Sequence, residues 1–246
     1  MSTIFVTGGS KGIGRAIALH LCSLGHNVAF SYNKNKDISE LLINDAKDFA
    51  GKIFAVPMQV ESKSSIQQAF KDAKQKFNSN IECLINNAAI AQEKPFLEIT
   101  DDDWKKMHDV NLLGPFLCSQ QVIPEMIKKK WGRIINISSI GGQWGGFNQA
   151  HYAASKAGLI NLTKTIAKIY SKDGILSNAI AIGLVDTDMS SAEINRQDGK
   201  KKIDSIPIGR IANMEEITSV VEFLCSERSS YTTGQSINLN GGMYFS

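Results

Sequence analysis

The chain has 246 residues, 43% of them hydrophobic and 21% charged, with 27 basic against 24 acidic side chains and a formal net charge of +3. That balance excludes a disordered tail and a disulfide-stapled miniprotein, and folding at this length buries roughly three-quarters of the unfolded surface without help from a metal. A surplus of three charges is too small to point to nucleic acid, and the sequence holds no apolar run long enough to span a membrane.

The first residues, MSTIFVTGGSKG, enter an apolar run directly, with no basic segment or cleavage site before it. The expectation is a cytoplasmic protein without a secretory leader. Short β-branched runs over 4–7, 28–32, 53–56, 84–85, 134–137, 177–182 and 236–239 read as strands. Between them, segments of helical period predict helices over 13–24, 38–49, 64–77, 110–129, 152–170 and 215–224. Strands alternating with helices of ten or more residues predict an α/β fold, one parallel sheet with helices on both faces. Right-handed crossovers make that sheet doubly wound, of Rossmann type, with about seven strands in a single domain over 1–246. The stretch DTDMSSAEINRQDGKKKID, Asp186 to Asp204, is polar and weakly periodic. It predicts a flexible lid over about 186–206, with solvated surface as the plainer alternative. Cys22, Cys83, Cys118 and Cys225 lie far apart in apolar stretches, with no CxxC and no histidine at ligand spacing. They read as small buried hydrophobes in a reducing compartment, and no metal is expected.

Two patterns carry chemistry. TGGSKGIG, from Thr7 to Gly14, joins the first strand to the first helix. Glycines there let the backbone turn tightly and approach a pyrophosphate, which the helix N-terminus attracts. Gly8, Ser10, Lys11, Gly12, Ile13 and Gly14 are therefore candidate cofactor contacts. Beyond the second strand stand Tyr32, Asn33, Lys34, Asn35 and Lys36, with no carboxylate until Asp37. A carboxylate there would bind the ribose 2′-hydroxyl of NAD and repel a 2′-phosphate, so lysines and the Asn33 amide favour NADP(H). The second pattern is Tyr152 with Lys156, one turn apart on a helix. An ammonium about 4 Å from a phenolate stabilises it by about 4 kcal/mol at an effective dielectric near 20, which brings a phenol toward working range at neutral pH. Tyr32 and Lys36 repeat the spacing, but at a strand end and with no serine thirteen residues earlier.

TGxxxGxG at 7–14, NNAA at 86–89, NLLG at 111–114, then Ser139, Tyr152 and Lys156, and DTDM at 186–189 follow one another along almost the whole chain. In that order they resemble the short-chain dehydrogenase/reductase family. The resemblance implies that Tyr152 exchanges a proton with the carbonyl oxygen, and that Ser139 hydrogen-bonds the same oxygen. Lys156 would bind the nicotinamide ribose, and Asn111 would hold a water linking Lys156 to solvent. Strand alternation turns the neighbouring Ser138 to the opposite face. The same resemblance adds Gln59, Val60, Asn87, Val185 and Thr187, with Tyr152 and Lys156, to the cofactor contacts. Three positions depart from the family pattern. Ala89 replaces a glycine and would crowd the backbone near the cofactor, Gln59 replaces an aspartate, and Ile182 replaces a proline whose loss would loosen the following loop.

Within the family, YAASKAGL at 152–159 and the terminal NGGMY resemble 3-oxoacyl-acyl-carrier-protein reductases. WGRIINISS and GQWGGFNQAHY also resemble acetoacetyl-CoA reductases. The implied activity is NADPH-dependent reduction of a 3-oxoacyl thioester, in a homotetramer packed through helices over 111–130 and 152–170. Lys128, Lys129, Lys130 and Arg133 are candidates to steer an acidic carrier protein, or else a solvated helix end. Against carrier docking, a position that is basic in carrier-dependent relatives holds Asp173, beside Lys172. A dehydrogenase of sugars or polyols and a catalytically silent nucleotide-binding regulator remain the alternatives.

Overall fold

All seven apolar runs become strands: β1 (Thr3–Val6), β2 (Asn27–Tyr32), β3 (Lys52–Pro57), β4 (Cys83–Asn86), β5 (Gly132–Ser139), β6 (Ile175–Ile182) and β7 (Ser236–Leu239). The computed structural model describes residues 1–34, 36–187 and 199–245. The strands form one sheet in the order β3-β2-β1-β4-β5-β6-β7, and every pairing is parallel. Helices α1 (Gly12–Ser23), α2 (Lys36–Asp45), α3 (Lys63–Phe77), α4 (Asp101–His108), α5 (Gly114–Lys129), α6 (Gly141–Trp144), α7 (Ala150–Tyr170), α8 (Gly199–Asp204) and α9 (Met214–Cys225) connect them.

Alternation along the strands builds two apolar layers. In β1, Ile4 and Val6 pack with Ile17 and Leu21 of α1, Leu42 of α2 and Val221 of α9. Phe5, pointing the other way, packs with Ile66 and Phe70 of α3, Val122 of α5 and Ile166 of α7. Its ring stacks on Phe70 at 4.1 Å. Side chains enclosed on both faces explain why the strands read as continuous apolar runs.

The structure departs from the predicted elements in three places. Instead of one helix over 110–129, α4 runs into a π-helical turn, Asp109–Leu113, before α5 begins. Helix α4 starts early because Thr100 and Asp103 form a capping box and three aspartates occupy its first turn. Helix α2 stops at Asp45, short of the expected 49. Of the expected lid, residues 188–198 lie outside the described residues, while α8 falls within its C-terminal part. The four cysteines are free and buried, and burial pushes the Cys118 thiol up to about 12. No helix among the described residues is long and apolar enough to cross a membrane.

Candidate active site

The chain leaves β3 at one edge and resumes on the other side of β1, so the sheet order reverses between β1 and β4. Ligands of such sheets bind beyond the strands' carboxyl ends at that reversal. There, Thr7 Oγ1 accepts from the main-chain N–H groups of Asn87 and Ala88, both at 3.0 Å. The Asn87 amide donates to the carbonyls of Thr7 and Gly8, again at 3.0 Å. Gly8 N donates to Ser31 Oγ at 3.0 Å. The glycine loop is thus strapped to the ends of β2 and β4. Gly8 has φ +64°, and a Cβ on it would come within 2.9 Å of Ala88 Cα. A Cβ on Gly14 would lie 2.4 Å from both Asn87 Nδ2 and Gly8 O. These glycines are required by close backbone approach within the loop and to the segment after β4. Helix α1 opens at Gly12 with no side-chain cap from Lys11 and no acidic residue in its first turn, which leaves its first N–H groups and partial positive charge for an anion. Thr187 comes over this loop: its Cγ2 would be 3.8 Å from a Cβ on Gly12.

Toward the other end of the crevice, Asn33 and Gln59 line a cavity of about 480 Å³ with Pro57, Met58 and Ser64. Gln59 is fixed at its main chain, where its N–H donates to Ser65 Oγ at 3.0 Å. Lys34 is exposed beside Asn33, whereas Lys36 begins α2 and pairs with Glu40 at 3.7 Å. The Tyr32–Lys36 repeat is therefore split between a strand end and a helix start. Gly114 of the NLLG run lets the helix pass Val60, whose carbonyl would be 2.9 Å from a Cβ there.

The second cluster lies beyond β5. Tyr152, half-buried, occupies the first turn of α7. Lys156 is 3% exposed and its Nζ donates to Ile137 O at 2.8 Å, 5.8 Å from the centre of the Tyr152 ring. Burial pushes this ammonium down to about 8. Ser139 ends β5, and its Oγ accepts from Gly141 N at 3.1 Å. A Cβ on Gly141 would lie 3.4 Å from Ser139 Oγ and 3.9 Å from Tyr152 Cε1, so the two side chains border the same point. Ser138 is engaged elsewhere, donating to the Lys156 carbonyl at 3.2 Å. Asn111 sits in the π-helical turn, fully buried. Its Oδ1 accepts from Ile90 N, and its Nδ2 donates to Ile90 O and Ser155 Oγ, at 2.9, 2.9 and 3.1 Å. The side chain therefore holds the loop after β4. Sequence reasoning placed Thr7 in the glycine motif without giving it a role, and missed Ser31 and Ile90, which act through a hydroxyl or the main chain and have no motif of their own.

Two of the sequence departures have structural answers. The close approach to the glycine loop is made by Ala88, not Ala89. Without a proline at Ile182, the next residue is still pinned: Gly183 N donates to Leu239 O at 3.0 Å, with Asn240 Cα 2.9 Å from where a Cβ would be.

The basic cluster does not offer the free positive surface expected of a carrier site. Lys128 pairs with Glu125 at 2.8 Å, Lys129 with Glu82, Lys130 with Asp173 at 2.6 Å and Arg133 with Glu227 at 3.6 Å. Lys130 of that cluster and Asp173, the acidic residue that counts against carrier docking, thus neutralise each other. Arg133 is also at the start of β5, whereas Ser139 is at its end. Elsewhere, His108, Leu112, Leu113, Phe116 and Leu162 line a shallow cavity of about 350 Å³ joining the α4–α5 segment to α7. Trp104, Leu113 and Phe116 are exposed on that face.

Comparison with known proteins places these features in a wider group. Residues 8–244 match the family model described as enoyl-(acyl carrier protein) reductase. The chain is 41% identical over 241 residues to the 3-oxoacyl-acyl-carrier-protein reductase of Aquifex aeolicus, covering 97% of this chain and 96% of that one. It is 38% identical over 239 residues to the enzyme of the same name from Staphylococcus epidermidis, covering 97% of each. The crystal structure of a candidate gluconate dehydrogenase from Agrobacterium tumefaciens is similar with a TM-score of 0.93 and 30% identity, over 98% of this chain and 95% of that chain.

Proposed function

The chain belongs to the short-chain dehydrogenase/reductase family and is an oxidoreductase, and from that premise we propose that it reduces the 3-oxo group of an acyl thioester with NADPH. The observation that carries this reading is the convergence of Ser139, Tyr152 and Lys156 beside a glycine cradle at the carboxyl end of one sheet. The residues present fit a dinucleotide: α1 leaves its first N–H groups without a side-chain cap or an acidic neighbour, and only glycine at 8 and 14 keeps the loop in this shape, since a Cβ there would collide with Ala88, or with Asn87 and Gly8 O. Gly8, Ser10, Lys11, Gly12, Ile13, Gly14, Asn87, Val185 and Thr187 would hold its phosphates and nicotinamide end, with Asn33, Gln59 and Val60 at the adenosine end. Asn33 and Lys34 at the end of β2 support the 2′-phosphate form; the one carboxylate lining that cavity, Asp72, is engaged by the Gln68 amide at 2.7 Å.

When bound, the nicotinamide supplies the hydride. Tyr152 donates its phenolic proton to the substrate oxygen, and Ser139 Oγ hydrogen-bonds that oxygen. Lys156 stabilises the phenolate that remains; at 5.8 Å from the ring centre the attraction is about 3 kcal/mol at an effective dielectric of about 20. With the Asn111 amide spent on Ile90 and Ser155, a water linking Lys156 to solvent would be held by main-chain groups of the π-helical turn, a device frequent at functional sites.

The relatives' names support a 3-oxoacyl thioester. So does an apolar rim: Phe96, Leu97, Trp144 and Phe147 are all exposed on the segments that follow β4 and β5. Lys94 N joins those segments by donating to Asn148 O at 2.7 Å. A polyol would favour hydrogen-bonding side chains there. The exposed apolar face of α4 and α5 supports assembly into a homotetramer. The test follows NADPH oxidation with acetoacetyl-CoA, a carrier-bound 3-oxoacyl thioester and crotonyl-CoA, and NADP⁺ reduction with gluconate. Turnover of the 3-oxo thioesters is expected. Turnover of gluconate or crotonyl-CoA alone would overturn the substrate assignment.

A further inference from the structure

His151 immediately precedes Tyr152, and its ring is fully buried. Its Nε2 lies 2.8 Å from Gln92 Oε1, and Gln92 Nε2 donates to Asp103 Oδ1 at 3.1 Å. The far end of this chain fixes its direction. A carboxylate only accepts, so Gln92 turns its NH₂ to Asp103 and its oxygen to His151. His151 must then donate from Nε2. In the neutral ring that is the one proton, and Nδ1 is left as an acceptor, buried and without a hydrogen-bond partner among the described residues. Asp103 is itself anchored, accepting from Lys94 Nζ at 2.5 Å and from Thr100 N and Oγ1 at 3.1 and 2.8 Å.

Helix α7 needs support from outside. Its N-cap, Gln149, makes no side-chain cap bond. The chain enters it through Gly145 at φ +88° and Asn148 at φ +53°. Among the described residues, the hydrogen bonds that hold this entry to the loop after β4 include Lys94 N to Asn148 O and His151 to Gln92. Both reach residues 90–94, whose first residue, Ile90, is bound through both main-chain groups to Asn111.

We infer that His151 and Gln92 are a positioning pair, which locks the Tyr152-bearing turn of α7 to the loop after β4 and so fixes where the phenol meets the substrate carbonyl. The inference rests on the reductase reading of this site. Misplacement of a reacting group by about 1 Å costs on the order of a hundredfold in rate, so a pair that removes a fraction of that slack shows in kcat. The pair does not touch the glycine cradle, which follows β1, so NADPH affinity is expected to change far less than kcat, although Asn87, Tyr152 and Lys156 are also proposed cofactor contacts.

The test combines two measurements on the full chain. In ¹⁵N-histidine-labelled protein at neutral pH, His151 is expected as the neutral tautomer protonated on Nε2, with that preference lost in Gln92→Leu. A neutral ring protonated on Nδ1 would overturn the pairing. In kinetics, His151→Ala and Gln92→Leu are each expected to lower kcat about tenfold, and the double variant also about tenfold rather than a hundredfold. NADPH affinity stays within about twofold, and His151→Gln, whose amide reaches the Nε2 position, recovers most of the rate. Multiplicative losses, or equal losses in kcat and cofactor affinity, would overturn the positioning role. A wild type that turns over none of the test substrates sinks the reductase reading instead, and the tautomer then decides the pairing by itself.

Discussion

Replacing Lys156 by methionine should raise stability while lowering the rate about a hundredfold. Burial lowers the Lys156 ammonium from 10.5 to about 8, so at neutral pH the folded chain carries that charge at a cost of about 3 kcal/mol relative to the unfolded chain. Methionine fills similar volume without the charge. It leaves Ile137 O without the Nζ donor found at 2.8 Å, which returns about 1 kcal/mol. The net gain of about 2 kcal/mol corresponds to a rise in Tm of about 4–8 °C at this chain length. The pH dependence has a definite sign. The folded value lies below the unfolded one, so between about 8 and 10.5 the unfolded chain binds the extra proton and wild-type stability rises with pH. The variant lacks that rise, and its advantage disappears over the same window. Loss of an ammonium 5.8 Å from the Tyr152 ring centre removes about 3 kcal/mol of phenolate stabilisation, or about a hundredfold in rate. Urea unfolding at neutral and alkaline pH, with kcat measured alongside, checks both halves. A variant less stable than wild type at neutral pH, with an unchanged pH slope, would refute the view that a buried charge is maintained here against its solvation.

Other outcomes follow from the same geometry. Gly14→Ala places a methyl 2.4 Å from Gly8 O and Asn87 Nδ2, and fluorescence titration should show NADPH binding weakened at least about tenfold, or 1.4 kcal/mol. Asn33→Asp puts a carboxylate where the 2′-phosphate is proposed, and should lower the NADPH-over-NADH ratio of kcat/KM about tenfold. Because Lys130 is already paired with Asp173, Lys130→Ala should change kcat/KM for a carrier-bound substrate by less than about threefold, in line with the small net worth of exposed pairs. A larger loss in a salt-dependent assay would restore the carrier-docking role.

The sheet was legible because its strands are buried on both sides. Ile4, Phe5 and Val6 face different layers yet are all apolar, so periodicity and composition agree. The glycine loop and the Tyr152–Lys156 pair were legible because backbone approach and phenol activation demand particular residue types at fixed spacing. The break at Asp109–Leu113 was not, since a π-helical turn keeps helical periodicity on both sides and Asn111 gives no sign that its amide holds Ile90. The pairing of the basic cluster was hidden for a different reason. Lys128, Lys129, Lys130 and Arg133 are adjacent in sequence, but Glu82, Asp173 and Glu227, which neutralise three of them, come from distant segments. The Gln92–His151 contact spans 59 residues and has no local signature at all.

The most direct measurement follows NADPH absorbance with acetoacetyl-CoA for wild type and Tyr152→Phe, after both are shown to bind NADPH equally. The expected result is turnover by the wild type and a loss of about 10²- to 10⁴-fold in the variant, the usual contribution of a positioned proton donor. Equal rates in the two proteins would contradict Tyr152 as the proton donor, and with it the chemistry assigned to this site.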